Sequence, residues 1–227
     1  MRITSFKKAV SLSILLIGLL LAINPAGFAE EQNEDAIFND KALLDGYSQK
    51  YTEESQDIIL EIIQDDTLSP YKTAAAVRVF REKFAANILR NEKKMAVKAL
   101  IRRLNRSDSS FVQVEIMHTL CFLDRYKYFD SLAPSLIQKL GHYNDTVSEM
   151  AFTAIDHIIK LGRNRTREAR IIFSNIRRHL LVNRKKLSRI KEADPKLKRE
   201  FELLRWSIKI LGKQQLKKLP SEVINLL

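Results

Sequence analysis

The sequence predicts an all-α protein, a short solenoid of about four stacked helical hairpins with a capping helix at each end. Three observations carry that expectation. Apolar residues fall at the three- and four-residue steps of a helix, and no alternating strand pattern of useful length occurs. Helix-length segments come in pairs joined by short polar turns, and the turn aspartates Asp66, Asp108 and Asp145 lie 42 and 37 residues apart. Each pair carries an apolar face too wide for one hairpin to bury, so neighbouring pairs must cover it. Six glycines and five prolines in 227 residues argue against a turn-rich β protein or a disordered chain.

Residues 1–29 read as a cleaved signal peptide. Arg2, Lys7 and Lys8 form a basic start, Val10 to Ile23 is an apolar run, and Gly27-Phe28-Ala29 offers small residues for cleavage near Ala29. The apolar run is short for a membrane span, although retention as an anchor is the alternative. The style of these regions suits a bacterium, so export to the periplasm, or secretion, is expected. Cys121 is the single cysteine, which rules out an internal disulfide; set among Leu120, Phe122 and Leu123, it reads as a buried thiol. Residues 30–51 start as an acidic lead, and Ala36, Ile37, Phe38, Leu43, Leu44 and Tyr47 then mark an N-terminal capping helix.

The repeat region spans residues 52–212. Ile58 to Ile63 precedes the turn Asp65-Asp66-Thr67-Leu68, and Ser69-Pro70 opens a helix carrying Ala74, Ala75, Val77, Val79, Phe80 and Phe84. Met95 to Leu104 and Phe111 to Leu123 flank the turn Arg106-Ser107-Asp108. The next pair is the clearest. Leu132, Leu136, Ile137 and Leu140 form one stripe, with Pro134 expected in the first turn and Gly141 as the C-cap. Asn144 or Asp145 caps the next helix, whose apolar face holds Val147, Met150, Ala151, Ala154, Ile155, Ile158 and Ile159 before Leu161-Gly162 stops it. A helix from Arg165 to about Val182 is expected next, then an insertion over 183–193, then a helix opened by Asp194-Pro195 and ended by Ile210-Leu211-Gly212. Residues 213–227 should form a short closing helix capped by Ser221 and sealed by Val223, Ile224 and Leu227, unless that tail is displaced onto a partner.

In Leu132-Ala133-Pro134, Leu140, Asp145, Val147, Ala151, Ala154, Ile155 and Leu161-Gly162 the chain resembles the HEAT and armadillo-like repeat family. That family commonly has an arginine soon after the valine, where this chain has Ser148-Glu149. The resemblance implies a right-handed superhelix of helix pairs with an extended concave surface. The family shares no catalytic residues, so it assigns none here.

Charge is segregated along the chain. Glu30 to Ser69 holds 12 acidic and 2 basic residues, Pro70 to Ile159 holds 9 and 14, and Lys160 to Lys218 holds 5 and 20. In the basic end Arg163, Arg170, Arg177, Arg184 and Lys191 recur every seven residues, flanked by Arg167, Arg178, Lys185 and Lys186. Ile172 or Phe173, Ile176, Leu180 and Leu187 form the opposing apolar stripe. One reading of the cationic face is a solvated surface whose arginine stems cover apolar neighbours. The other is a site for an anionic partner, because guanidinium groups pair bidentately with carboxylates and phosphates. That partner is an acidic protein, an anionic lipid or an envelope polymer. The acidic N-terminal end of a second copy is a further option, through head-to-tail association. Nucleic acid is not expected, since no aromatic-rich basic groove is evident.

Catalytic and metal-binding signals are weak. His118, His142, His157 and His179 have no histidine or carboxylate four residues away, so no metal site is expected. Asp65-Asp66 falls in a turn and Glu53-Glu54 at a helix start, where capping and helix-dipole complementarity explain them. There is no glycine-rich phosphate loop, nucleophile elbow or HExxH helix, and no cofactor is implied. Trp206 reads as a core residue. Tyr128 and Phe129 either pack a seam between hairpins, with Tyr126 half exposed, or these aromatics anchor a partner. The sequence thus points to an exported, non-enzymatic interaction module that binds an acidic partner through its basic C-terminal surface. An enzyme on the same scaffold, with a site that matches no known motif, is the competing reading.

Overall fold

The computed structural model describes residues 40–123, 128–161, 165–189 and 193–227. Two units are distinguished, Met1–Ala36 and Ile37–Leu227, and every described residue belongs to the second. The signal peptide and acidic lead lie outside the described residues, as do Asp124 to Lys127 with Tyr126, Gly162 to Asn164, and Ile190 to Glu192.

The described residues are helical, with no strand among them. In chain order the helices are α1 (Lys41–Tyr51), α2 (Gln56–Gln64), α3 (Pro70–Val79), α4 (Arg90–Arg106), α5 (Ser110–Phe122), α6 (Phe129–Leu140), α7 (Asp145–Leu161), α8 (Arg165–Val182), α9 (Arg184–Leu187), α10 (Pro195–Leu211) and α11 (Ser221–Ile224). A π turn, Phe80–Phe84, extends α3, and a 3-10 turn, Lys213–Lys218, precedes α11.

Capping residues set many of these boundaries. Asp40, Ser55 and Asp194 accept backbone N–H bonds from Leu43, Ile58 and Leu197, at 2.9, 3.4 and 2.8 Å. Asn144 does the same for Val147 at 3.3 Å. Asp65 takes the N–H and the hydroxyl of Thr67 at 2.8 and 2.6 Å, which fixes the turn before α3. Those hydrogen bonds also hold its carboxyl below the usual carboxylate range.

Sequence neighbours pack as pairs: α2 on α3, α4 on α5, and α6 on α7. Each helix also meets the next but one: α1 and α3, α3 and α5, α5 and α7, and likewise α2 and α4, α4 and α6, α6 and α8. Late in the chain α10 packs on α8 and also touches α6 and α7. The core runs continuously through these contacts, from Leu44 and Ile59 to Phe201 and Val223. Phe80, Phe129 and Phe201 are its largest fully buried side chains, and burying such a side chain stabilises the fold by roughly 1.5–3 kcal/mol. Cys121 is a buried thiol, Trp206 and Tyr128 are half-buried against the core, and Phe129 is buried in it.

Ion pairs repeat the next-but-one pattern. Arg78 and Arg81 of α3 and its π turn grip the buried Glu115 of α5, the closest contacts being 2.5 and 2.6 Å. Arg103 and Arg106 of α4 reach back to Asp66, and Arg167 of α8 reaches Asp130 of α6. Arg78–Glu115, Arg103–Asp66 and Arg167–Asp130 each span 37 residues.

The structure corrects several local expectations. Pro134 lies inside α6, not in its first turn, because the helix starts five residues earlier at Phe129, whose ring is buried. Pro134 is itself exposed, so its missing N–H faces the solvent side. Gly141 is the C-cap of α6 as expected, but its φ of −88° is a conformation open to any residue and not the left-handed one. Helix α4 is longer than expected, starting upstream of Met95 at Arg90. Residues 213–227 form a 3-10 turn and then the short closing helix α11, which is confined to Ser221–Ile224. Ser221 bonds Glu222 and does not cap α11; Leu219 and Val223 are buried, while Ile224 is exposed.

Candidate anion-binding groove

Helix α8 has two distinct faces. Ile172, Phe173, Ile176 and Leu180 are buried, and α8 packs on α6 and α10. A second stripe, Thr166, Arg170, Ser174, Arg177, Arg178 and Leu181, recurs at steps of three and four and lines one wall of a groove of about 640 Å³. The opposite wall is the last turn of α10, Ile210 and Leu211, with Gln214, Gln215 and Lys218 of the 3-10 turn.

Gly212 makes that second wall possible. Its φ of +98° and ψ of 153° lie where only glycine is comfortable. The chain therefore breaks from α10 and passes alongside α8. Arg177 ties the walls together, its Nε donating to the Lys218 carbonyl at 2.7 Å.

Arg170, Arg177, Arg178 and Lys218 line the groove, and among the described residues no carboxylate does. Phe173, Leu181 and Leu211 add an apolar surface between the cations. Positive charge with no compensating acid, concentrated in a concave space, focuses an attractive field for anions. The groove offers charge, hydrogen-bond donors and apolar contact; among the described residues no histidine, cysteine or acid lines it to serve as general base or nucleophile.

The structure separates the expected site residues into groups. Arg170, Arg177 and Arg178 come together in the groove. Arg184 and Lys185 sit on α9, beyond the turn at Asn183, where φ −90° and ψ 7° end α8 and break the seven-residue row. Asn183 bonds the His179 carbonyl there at 3.1 Å. Arg184 pairs with Glu222 at 2.9 Å, and Lys185 is exposed. Arg163 and Lys191 lie outside the described residues. Lys218, Gln214 and Gln215 were not legible as site residues, since only the turn at Gly212 carries them to α8.

A separate cleft holds a pairing that helical spacing does not reveal. Nδ1 of His179 lies 3.1 Å from Oε2 of Glu200, a residue 21 positions later and only 4% exposed. That hydrogen bond raises the His179 pKa above its ordinary value, against the opposing pull of burial. His142 is pushed the other way, by burial first and by the nearby Lys139. Among the described residues no cluster of three or more histidines, cysteines and acids is placed to hold a metal ion. No described helix is long and apolar enough to cross a membrane. Comparison with family models, with curated proteins and with solved structures finds no match.

Proposed function

We propose that the protein is an exported, non-enzymatic interaction module of the bacterial envelope, and that the α8 groove binds an acidic segment of a partner protein. The observation that carries this reading is the groove's composition: Arg170, Arg177, Arg178 and Lys218 without an acid among them, set over Phe173, Leu181 and Leu211. Cations interleaved with apolar side chains favour an amphipathic acidic peptide over a featureless polymer. Export rests on the N-terminal sequence alone.

The scaffold in this proposal is a short HEAT-like α-solenoid of about four hairpins. Two findings support it: next-but-one packing recurs along the helices, and three arginine–carboxylate pairs recur at an offset of 37 residues. The same interval separates Asp108, in the turn before α5, from Asp145, the first residue of α7.

The test is fluorescence anisotropy of a labelled Glu- and Leu-rich amphipathic peptide titrated with the protein. Arg170→Glu with Arg178→Glu reverses two exposed charges and leaves Arg177, which braces the groove, in place. We expect binding to weaken at least about tenfold in the double variant and to fall as salt rises, with circular dichroism unchanged. Equal affinity in both proteins, or equal binding of a Lys- and Leu-rich control peptide, sinks the proposal.

A further inference from the structure

The cleft at His179 lies apart from the α8 groove, where Gly141, the last turn of α8, α9 and the first turn of α10 meet. It encloses about 330 Å³, the lower end of the range typical of small-ligand sites. Its chemistry is organised around the buried carboxylate of Glu200. A buried charge of that kind needs a partner, and it has one in His179 Nδ1. The bond fixes which imidazole nitrogen faces inward and favours the charged ring.

The other edge of the ring is left open. A Cβ built at position 141 would lie 3.7 Å from His179 Cε1, so the absence of a side chain there keeps space beside the ring. Among the described residues Nε2 makes no hydrogen bond. Lys186, exposed on α9, makes no ion pair among the described residues and lines the same space. Lys196 stands at the rim, held by Asp145 Oδ1 at 3.1 Å and the Tyr143 carbonyl at 2.9 Å.

Both acids that line the cleft are already engaged. Glu200 holds His179, and Asp194 caps α10 through the Leu197 N–H. Buried Leu180, Leu187 and Leu197 supply an apolar surface. The start of α10 borders the cleft, and a helix start favours negative charge nearby.

We propose that this cleft binds a small organic anion, its acidic head against His179 Nε2 and Lys186 and a short apolar body over Leu180, Leu187 and Leu197. The head satisfies two donors that the protein itself leaves open, and the body packs against the small apolar patch that these leucines present to the cleft. This site is independent of the peptide groove, which lies on the other side of the α8 stripe from His179.

The full chain, with histidine side chains labelled with nitrogen-15, is titrated with hexanoate and followed by NMR at mildly acidic pH. Hexanol supplies the body without the charge, and acetate and inorganic phosphate supply the charge without the body. The expected result is a saturable shift of the His179 Nε2 resonance with hexanoate, at least about fivefold tighter than with any of the three controls. Lys186→Glu, a change at an exposed position, should weaken hexanoate at least about fivefold with an unchanged spectrum of the core. Hexanol matching hexanoate overturns the acidic head. Acetate or phosphate matching hexanoate overturns the apolar body. No saturable shift, or no loss in Lys186→Glu, overturns the site itself.

Discussion

Glu115 shows how much one residue can demand of its surroundings. It sits inside α5, fully buried, in a run that otherwise reads as continuous core. Three guanidinium contacts satisfy it, from Arg78 Nε at 2.9 Å, Arg78 Nη2 at 2.5 Å and Arg81 Nη1 at 2.6 Å. Glu115→Ala should cost on the order of 3–5 kcal/mol, because it takes the buried carboxylate from two mostly buried arginines and leaves Arg78 its longer contact to Asp45, at 3.7 Å. Urea denaturation of the variant measures this; a loss below about 1 kcal/mol contradicts the pairing. The sequence showed the acid but not its partners, since nothing local ties Glu115 to cations 34 and 37 residues earlier. His179 was hidden for the same reason, because Glu200 lies on another helix.

His179 also gives a pH prediction at the same scale. Its folded pKa is raised above the ordinary 6.5, chiefly by the Glu200 hydrogen bond. The stability contributed by the pair is therefore fully present below that value and is lost as pH rises through the folded one. Glu200 and Lys196 on α10 and Lys186 on α9 line the cleft with it. His142, whose pKa burial depresses, contributes the opposite slope, so the readout is the difference between the native protein and His179→Gln. That difference in denaturation midpoint should shrink as pH rises from the ordinary histidine value through the raised folded one. A difference constant across this window excludes a charged His179–Glu200 pair.

Among the elements, those whose ends carry capping chemistry were readable in advance. The helix opened by Asp194-Pro195 matches expectation, since an Asp-Pro start and a Gly stop are local signals, and the span Arg165–Val182 matches through its apolar stripe. Asp194→Ala should lower stability by about 1 kcal/mol through loss of the Leu197 bond, read as a lower thermal midpoint. The boundary at Phe129 was missed because proline usually marks a helix start, and here tertiary burial of Phe129 overrides that preference. In the closing segment Val223 is buried as expected, whereas Leu219 was missed because it follows a separate 3-10 turn, a spacing that carries no helical periodicity.

Over the molecule as a whole, stability and recognition share the C-terminal segment. Lys218 and Leu219 are adjacent: one lines the groove, the other is buried, and Val223 is buried further on. Deleting residues 213–227 should therefore lower the unfolding midpoint and abolish binding of the acidic peptide together. Truncated protein that binds the peptide with native affinity would show that α8 alone suffices. The all-helical class was legible because apolar periodicity is a local property. The groove was half legible: its arginine wall is a stripe on one helix, whereas its second wall depends on how the backbone turns.

That turn is set by Gly212. A methyl group there would collide with the Gln214 side chain, and the backbone conformation would be strained by roughly 1–3 kcal/mol. Position 212 bears no charge, so adding electrolyte cannot screen the effect of a substitution there. A receptor that recognises its target electrostatically would thus owe its aperture to chirality, and Gly212→Ala should impair capture by a factor that stays the same at every ionic strength.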